Sequence, residues 1–230
     1  MYKIGHLQYK VKNLAQAMEA FKQLGFEIER GGEKSKNAFI WFNEGPYIEL
    51  IEMNRTLMPF AYIFRWIYGR AMKARWKKWC CSQQGFIDFA IEAQKASLRS
   101  IAHFSKNKTI LNQFEIKGRK VITWYRKNLK NEKIAFSYYP ILPVTLPFVV
   151  SDYSTPQRPS STIHSNQFTE IDKVIFVCQP QDYQLMCQLV CHDDKLQLKQ
   201  GNITEIDKVI LKNNQNETYQ LSNKITLERM

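Results

Sequence analysis

The chain has 230 residues, of which 44% are hydrophobic and 23% charged, and this composition excludes a disordered or fibrous protein. Its 33 lysine and arginine residues outnumber the 21 acidic residues and give a formal net charge of +12, which favours anionic partners but indicates no fold. The first residues run straight into a strand pattern without an apolar signal segment, and the longest apolar stretch is too short to span a bilayer. We therefore expect a cytoplasmic location and no membrane partner.

Residues 1–54 predict one strand followed by a helix and three more strands. Apolar and polar residues alternate from Ile4 to Val11, which is typical of a strand with two different faces. The polar face carries His6, Gln8 and Lys10. Asn13 is a suitable residue to cap the helix that follows, and Gly25 is a suitable residue to end it.

Three short strand patterns complete this first unit, at residues 26–30, 38–42 and 47–53. Glu49 lies on the last of them. Because side chains alternate along a strand, Glu49 should point away from Ile48 and Leu50. We expect the outer helix to cover the apolar face, so that the polar face with His6 and Glu49 lines a cleft.

Residues 55–84 form a separate insert that is both basic and aromatic. Its densest part, residues 65–78, predicts a helix, but the basic residues of one continuous helix would not gather on one face. We interpret the insert as a helical lid over the cleft or as a dimer contact. Binding of nucleic acid is not expected.

The opening pattern of strand and helix recurs about every eighty residues, which indicates repeated units. A second unit spans 85–160, with strand patterns at 85–91, 121–125, 134–138 and 148–150 and a helix pattern at 97–104. A third, partial unit spans 161–230, with a strand at 171–178, a helix at 183–191 and strands near Val209 and Ile225. The predicted fold class is α+β, with tandem βαβββ-type units that form curved, mainly antiparallel sheets around a cleft and carry helices on their outer faces.

The order of several short motifs resembles the vicinal-oxygen-chelate superfamily and, within it, the glyoxalase-like domain. The motifs are Ile4-Gly5-His6, Leu24-Gly25-Phe26, Gly31-Gly32, Tyr47-Ile48-Glu49-Leu50-Ile51, Gly118-Arg119, Leu146-Pro147-Phe148 and His164-Ser165-Asn166. They cover most of the chain outside the insert. Any one of them is weakly specific, and the resemblance rests on their order and spacing.

The resemblance implies an open barrel of paired units around a divalent metal, with one ligand from the first strand and one from the fourth strand of each unit. In this sequence, those positions are His6 and Glu49, and Glu49 is also the best candidate for a catalytic carboxylate. The matching positions in the later units are Phe86, Val149, Lys173 and Thr226, which are poor metal ligands. Any divalent metal is therefore expected to bind weakly or to be absent.

Several functions stay open on this evidence. The sequence contains no phosphate-binding loop and no dinucleotide fingerprint, so no nucleotide cofactor is expected. The first alternative is a glyoxalase-like enzyme of lyase, isomerase or dioxygenase type that acts on a small anionic or carbonyl-bearing molecule, with Gln8, Lys10 and Lys173 in its ligand cleft. The second is a metal-free protein that binds or sequesters such a molecule, and the third is a basic surface-interaction protein.

Overall fold

The computed structural model of the protein describes residues 2–93, 122–127, 132–151, 153–190 and 193–230. The first unit has the predicted order of one strand, one helix and three strands. Its elements are β1 (Tyr2–Val11), α1 (Leu14–Gln23), β2 (Glu29–Arg30), β3 (Asn37–Ile40) and β4 (Tyr47–Glu52).

Both predicted ends of α1 are confirmed by their backbone geometry. The Asn13 side chain accepts a hydrogen bond from the backbone N–H of Gln16, which satisfies one of the free donors at the helix start. Gly25, just beyond the helix end, has a φ of +86°, a conformation that residues with a side chain rarely adopt. A Cβ at this position would also collide with Asn166, so the glycine allows the third unit to approach.

The insert folds as a short 3-10 turn (Arg55–Leu57) and two helices, α2 (Phe60–Tyr68) and α3 (Arg70–Cys81). Residues 65–78 therefore do not form one continuous helix, because Gly69 separates the two helices with a φ of +93°. Left-handed backbone of this kind ends an α-helix, and glycine adopts it at little cost.

The second unit contributes β5 (Gly85–Ala93), β6 (Ile122–Lys127), β7 (Lys133–Tyr139) and β8 (Phe148–Val150). The helix predicted at 97–104 lies outside the described residues. The two units join into one eight-stranded sheet with the order β2-β3-β4-β1-β5-β8-β7-β6. Five of its seven pairings are antiparallel, and β1–β4 and β5–β8 are the two parallel ones.

The third unit forms a sheet of its own, with the order β10-β9-β11-β12-β13. Its elements are β9 (Phe168–Cys178), α4 (Pro180–Leu189), β10 (Leu196–Gln200), β11 (Glu205–Asn213), β12 (Thr218–Leu221) and β13 (Leu227–Arg229). The strand predicted near Val209 is β11. The strand predicted near Ile225 is β13, which begins two residues later because Ile225 itself has a φ of +59° in the turn between β12 and β13.

The main core lies between the eight-stranded sheet, α1 and the third unit. Leu7 and Tyr9 of β1 and Phe89 of β5 are fully buried in it, and the Phe89 ring lies 4.9 Å from that of Phe176 in β9. Because this outer face is covered by α1 and the third unit, the opposite, inner face of the sheet is left for the insert and for a cavity. The α+β class with curved, mixed sheets is confirmed. None of the helices in the described part of the chain has the length and apolar character needed to cross a membrane.

Candidate functional site

A cavity of about 810 Å³ lies on the inner face of the eight-stranded sheet. This volume suits a small organic molecule. Its walls are mainly aromatic, and the rings come from both units, from the insert and from the segment after β8: Trp41, Tyr47, Trp76, Trp79, Trp124, Phe136, Tyr138, Phe148 and Tyr153. Polar side chains come from β1, β3 and β4 and also from Glu92 of β5 and the segment after β8.

His6 lies at the centre of the cavity floor. β1 runs through the middle of the sheet, and the alternation that turns Leu7 and Tyr9 outwards turns His6 inwards, where it is only 5% exposed. Its ring stacks on Tyr47 at 4.9 Å and meets the edge of Phe148 at 5.6 Å. Neither ring nitrogen has a hydrogen-bond partner among the described residues. A buried polar group without a hydrogen-bond partner lowers the stability of the fold by about 1–3 kcal/mol. Such groups are unusual away from functional sites.

Glu49 lies beside His6, with one carboxylate oxygen 3.6 Å from Nε2 of the imidazole. The other oxygen accepts a hydrogen bond of 2.7 Å from the side-chain amide of Asn37. The Gln8 amide donates to Glu49 over 3.4 Å, while the Gln8 carbonyl oxygen is buried without a partner in the described part of the molecule. The register explains this cluster, since β1 and β4 are parallel neighbours in which His6 pairs with Tyr47 and Gln8 with Glu49.

Burial lowers the pKa of His6 below its ordinary value near 6.5, although the carboxylates of Glu49 and Asp88 partly oppose the shift. His6 is therefore a neutral imidazole at pH 7, with one N–H donor and one nitrogen lone pair. Such a ring can hold a proton or accept one.

Three of the five residues predicted for the cleft meet at this cavity, namely His6, Gln8 and Glu49. The prediction that Lys10 and Lys173 also line the cleft is wrong. Lys10 does project from the inner face of β1, but its ammonium donates to the carbonyls of Cys80 and Ser82 at the end of α3. Lys173 belongs to the separate sheet of the third unit, where it donates to the Asp194 carbonyl.

The residues around His6 do not fit a resident divalent metal. His6 and Glu49 supply two donors, and the described residues contain no group of three histidine, cysteine or acidic side chains able to hold an ion. The parallel register of the second unit pairs Ala90 with Phe148 and Glu92 with Val150, so Ala90 and Val150 match His6 and Glu49 and donate nothing.

Phe86 and Val149, which the resemblance matched to His6 and Glu49 in the second unit, are therefore not the equivalent positions. Phe86 packs against Tyr9 at 4.8 Å, and Val149 belongs to the main core, so both point away from the cavity. The match to Val149 is wrong by one residue, which reverses the face of a strand, and the short β8 offers no alternation from which to fix the register. The match to Phe86 is wrong by four residues, and an irregularity in the pairing of β1 with β5 places Phe86 opposite Tyr9.

Next to the cavity lies a second charged cluster, which the sequence did not indicate. Asp88 of β5, directly opposite Gln8 on β1, is 2% exposed and accepts hydrogen bonds from Arg75, Lys78, Trp79 and its neighbour Phe89. Burial alone would raise the pKa of Asp88, but the two cations hold it below its usual value. The Arg75 side chain is fully buried, which the basic composition of the insert gave no means of predicting.

The segment between β8 and β9 holds one side of the cavity in place. Arg158, a lining residue that the sequence did not suggest, donates to the Phe42 and Gly45 carbonyls. His164 is 3% exposed, accepts from the Glu27 backbone N–H through Nδ1 and lies with Nε2 at 2.9 Å from the Trp41 carbonyl. Because both of its nitrogens are engaged, His164 has a structural role.

Comparison with known proteins agrees with this architecture. The profile of the family described as the glyoxalase-like domain matches residues 4–186. A hypothetical protein from Staphylococcus aureus has a crystal structure similar to the whole chain, with a TM-score of 0.72 over 98% of its own length and 17% sequence identity. Catechol 2,3-dioxygenase is similar over 99% of this chain and 86% of its own, with a TM-score of 0.55 and 9% identity. No curated protein matches the sequence.

Proposed function

Because the chain belongs to the glyoxalase-like domain family, we propose that it binds a small molecule with a flat apolar body and adjacent carbonyl and hydroxyl or amino groups in the cavity above His6. The fold by itself hosts many activities, so the proposal rests on the chemistry of the site. The observation that carries it is a group of buried polar atoms without partners among the described residues, namely both nitrogens of His6 and the carbonyl oxygen of Gln8.

Each part of the cavity recognises a different part of such a molecule. The Glu49 carboxylate and the free Gln8 carbonyl oxygen accept hydrogen bonds, so they select a hydroxyl or amino group on the ligand. The N–H of neutral His6 donates to a carbonyl oxygen. The aromatic walls stack on a flat apolar body, which is favourable because it removes large ring surfaces from water.

This arrangement changes the expected charge of the ligand. The expectation of an anion rested on Lys10 and Lys173, and neither ammonium reaches the cavity. The floor instead carries the Glu49 carboxylate, which would repel a ligand carboxylate placed next to it. The two cations that line the cavity are already engaged, Lys36 by Glu52 and Arg158 by two backbone carbonyls. A carbonyl-bearing, uncharged molecule therefore suits the site better than an acid.

A second candidate function is proton transfer on the bound molecule, because a neutral imidazole and a carboxylate lie 3.6 Å apart at the floor. Glu49 would remove a proton from the carbon next to the ligand carbonyl, and His6 would donate a hydrogen bond to the carbonyl oxygen as negative charge develops there. No step in this scheme runs through a metal. The alternative is binding or sequestration without catalysis.

Binding can be tested with a panel of aromatic hydroxycarbonyl compounds and matched aromatic acids, followed by thermal melting and tryptophan fluorescence. We expect a hydroxycarbonyl compound to bind and His6→Ala to weaken its affinity about tenfold, the effect of one buried hydrogen bond. Lys173→Ala is the control, since this residue lies on the other sheet. Binding of acids alone, unaffected by His6→Ala, would refute the proposal.

Catalysis is tested separately by following deuterium exchange into the bound compound in heavy water by NMR. Proton transfer predicts exchange that Glu49→Gln abolishes while binding persists. Exchange absent from the unmodified protein would leave binding as the function. Elemental analysis of the protein and of His6→Ala measures metal content in the same samples.

A further inference from the structure

The outward side of α2 is unusually apolar. Nine large hydrophobic side chains are exposed among the described residues, and five of them belong to this one helix. Trp66 is 92% exposed, the highest value of the nine. These five side chains are called the α2 face below: Phe60, Tyr62, Ile63, Trp66 and Ile67.

The inner side of the same helix already has a packing role. Phe64 meets Trp76 of α3 at 4.7 Å and Trp124 of β6 at 6.3 Å, and Tyr68 belongs to the same cluster. A helix at the surface of a water-soluble domain normally has polar residues on its outer side. Here both sides are apolar, so the packing of α2 against the domain does not account for the α2 face.

The charge around the α2 face has one sign. No acidic residue occurs between Glu52 and Asp88, whereas seven basic residues do. Asp88 engages Arg75 and Lys78. The other five have no carboxylate of the described residues within ion-pair distance: Arg55, Arg65, Arg70, Lys73 and Lys77. Lys73 lies over the Tyr62 ring at 4.2 Å, which places a cation directly beside the α2 face.

We infer that the α2 face is a docking surface for a membrane rich in anionic lipid. Exposed tryptophan, phenylalanine and isoleucine side chains can enter the boundary between lipid headgroups and acyl chains, while the flanking arginines and lysines remain at the headgroups. The sequence did not favour this role, because residues 65–78 have no basic face as one helix. Gly69 removes that objection, since the basic residues of α3 start a new helix in another direction.

Two other occupants fit less well. In a symmetric dimer, a second copy would place its own five cations against these five, and like charges repel. Single-stranded nucleic acid would use the basic residues and the aromatic rings, but it leaves the aliphatic Ile63 and Ile67 without a role. A lipid surface uses the charges, the rings and the aliphatic side chains together.

The test is sedimentation of the full chain with vesicles of phosphatidylcholine alone and of phosphatidylcholine mixed with phosphatidylserine. We expect binding to the anionic vesicles only, and weaker binding as salt increases. Arg65→Gln with Arg70→Gln should lower the partition coefficient about 25-fold, at about fivefold for each charge. Ile63→Ser with Trp66→Ser should lower it by at least about tenfold, since two inserted side chains are lost.

Ile203→Ser is the matched control, because Ile203 is 56% exposed but lies in the third unit, and this variant should bind vesicles normally. Circular dichroism and the thermal midpoint establish that the variants remain folded. Equal binding to both vesicle types, or to neither, overturns the inference. So does a dimer in sedimentation velocity that is lost in the Ile63→Ser, Trp66→Ser variant, or retention on single-stranded RNA in place of vesicles.

Discussion

The two halves of the eight-stranded sheet have the same strand order and opposite chemistry on the inner face. In the first half, the central strand and its parallel neighbour present His6 and Glu49, which carry unused hydrogen-bonding capacity towards the cavity. At the matching positions, the second half presents Ala90 and Val150, which are apolar and buried. At these two matched positions, only the first half has polar groups that a ligand could use, although Glu92 of β5 also lines the cavity.

The carboxylates of the two halves show the same contrast. Asp88 of the second half has two cations and an indole N–H as partners, so no hydrogen-bonding capacity is left for another molecule. Among the described residues, Glu49 of the first half has two amide donors and a neutral imidazole as neighbours. A carboxylate that is fully paired stabilises the fold, and one that is partly paired is available for chemistry. Burial and charge alone therefore do not distinguish a site from a structural ion pair.

The largest expected effect is on the structural carboxylate. Arg75→Met removes the main partner of Asp88 and leaves that carboxylate buried with Lys78, Trp79 and the Phe89 backbone N–H. The free energy of unfolding should fall by about 3–5 kcal/mol, as measured by urea denaturation, because an ion pair broken on one side leaves an uncompensated charge. If the loss stays below about 1 kcal/mol, the assignment of this pair to stability is wrong. Arg75→Met combined with Asp88→Leu should recover part of the loss.

Glu49→Gln should affect ligand binding more than stability, the opposite of Arg75→Met. It keeps the shape of the side chain and its contact with Gln8, so the unfolding free energy should change by less than about 1 kcal/mol. Affinity for a ligand found in the panel should fall about tenfold, because the charged acceptor is lost. Calorimetric titration measures this change. A variant as destabilised as Arg75→Met would show that both carboxylates are structural.

The histidines give a pH dependence with a defined sign. The pKa of His6 is lowered in the folded protein by burial, so the unfolded chain binds protons more readily. The contribution of His6 to stability should therefore be complete above pH ~6.5, the ordinary pKa of histidine, and should decrease as the pH falls below it. His6→Gln should flatten this decrease in urea titrations at each pH. His164, whose pKa is also lowered by burial, contributes in the same direction, so a residual slope in that variant is expected.

The smallest effect on stability is expected from the ion pair of Lys36 and Glu52 at the rim of the first half. Lys36 and Glu52 lie 2.6 Å apart, and Arg75 and Asp88 lie 2.8 Å apart. The Lys36 side chain is 69% exposed, whereas that of Arg75 is fully buried, and water screens the exposed pair. Lys36→Ala should change the unfolding free energy by no more than about 0.5 kcal/mol in urea denaturation. A loss near that of Arg75→Met would mean that burial does not set the difference.

Much of the architecture could be predicted from local patterns in the sequence. The capped helix α1 and the two faces of β1 follow from residues close together in the chain, and the structure confirms both. The approach of His6 to Glu49 follows from strand alternation and the family resemblance. Their roles as ligand contacts or metal ligands remain predictions.

The parts that the sequence could not supply depend on contacts between distant residues. Lys10 is drawn to the end of α3 because two carbonyls there need donors, which no local pattern reveals. Arg75 of α3 has its partner, Asp88, on β5, and Arg158 reaches back more than a hundred residues to Phe42. The separate sheet of the third unit likewise reflects how the finished units pack.

β1 has a consequence for hydrogen exchange. It lies between β4 and β5 in the sheet, with the core on one side and the cavity on the other, and nine of its ten residues are buried. Amide protons in such a strand exchange with solvent only when the whole domain opens, whereas those of an edge strand such as β13 exchange through local fraying. The strand that carries His6 would then be the slowest-exchanging part of the molecule, and a ligand that contacts His6 would slow it further by stabilising the folded state as a whole.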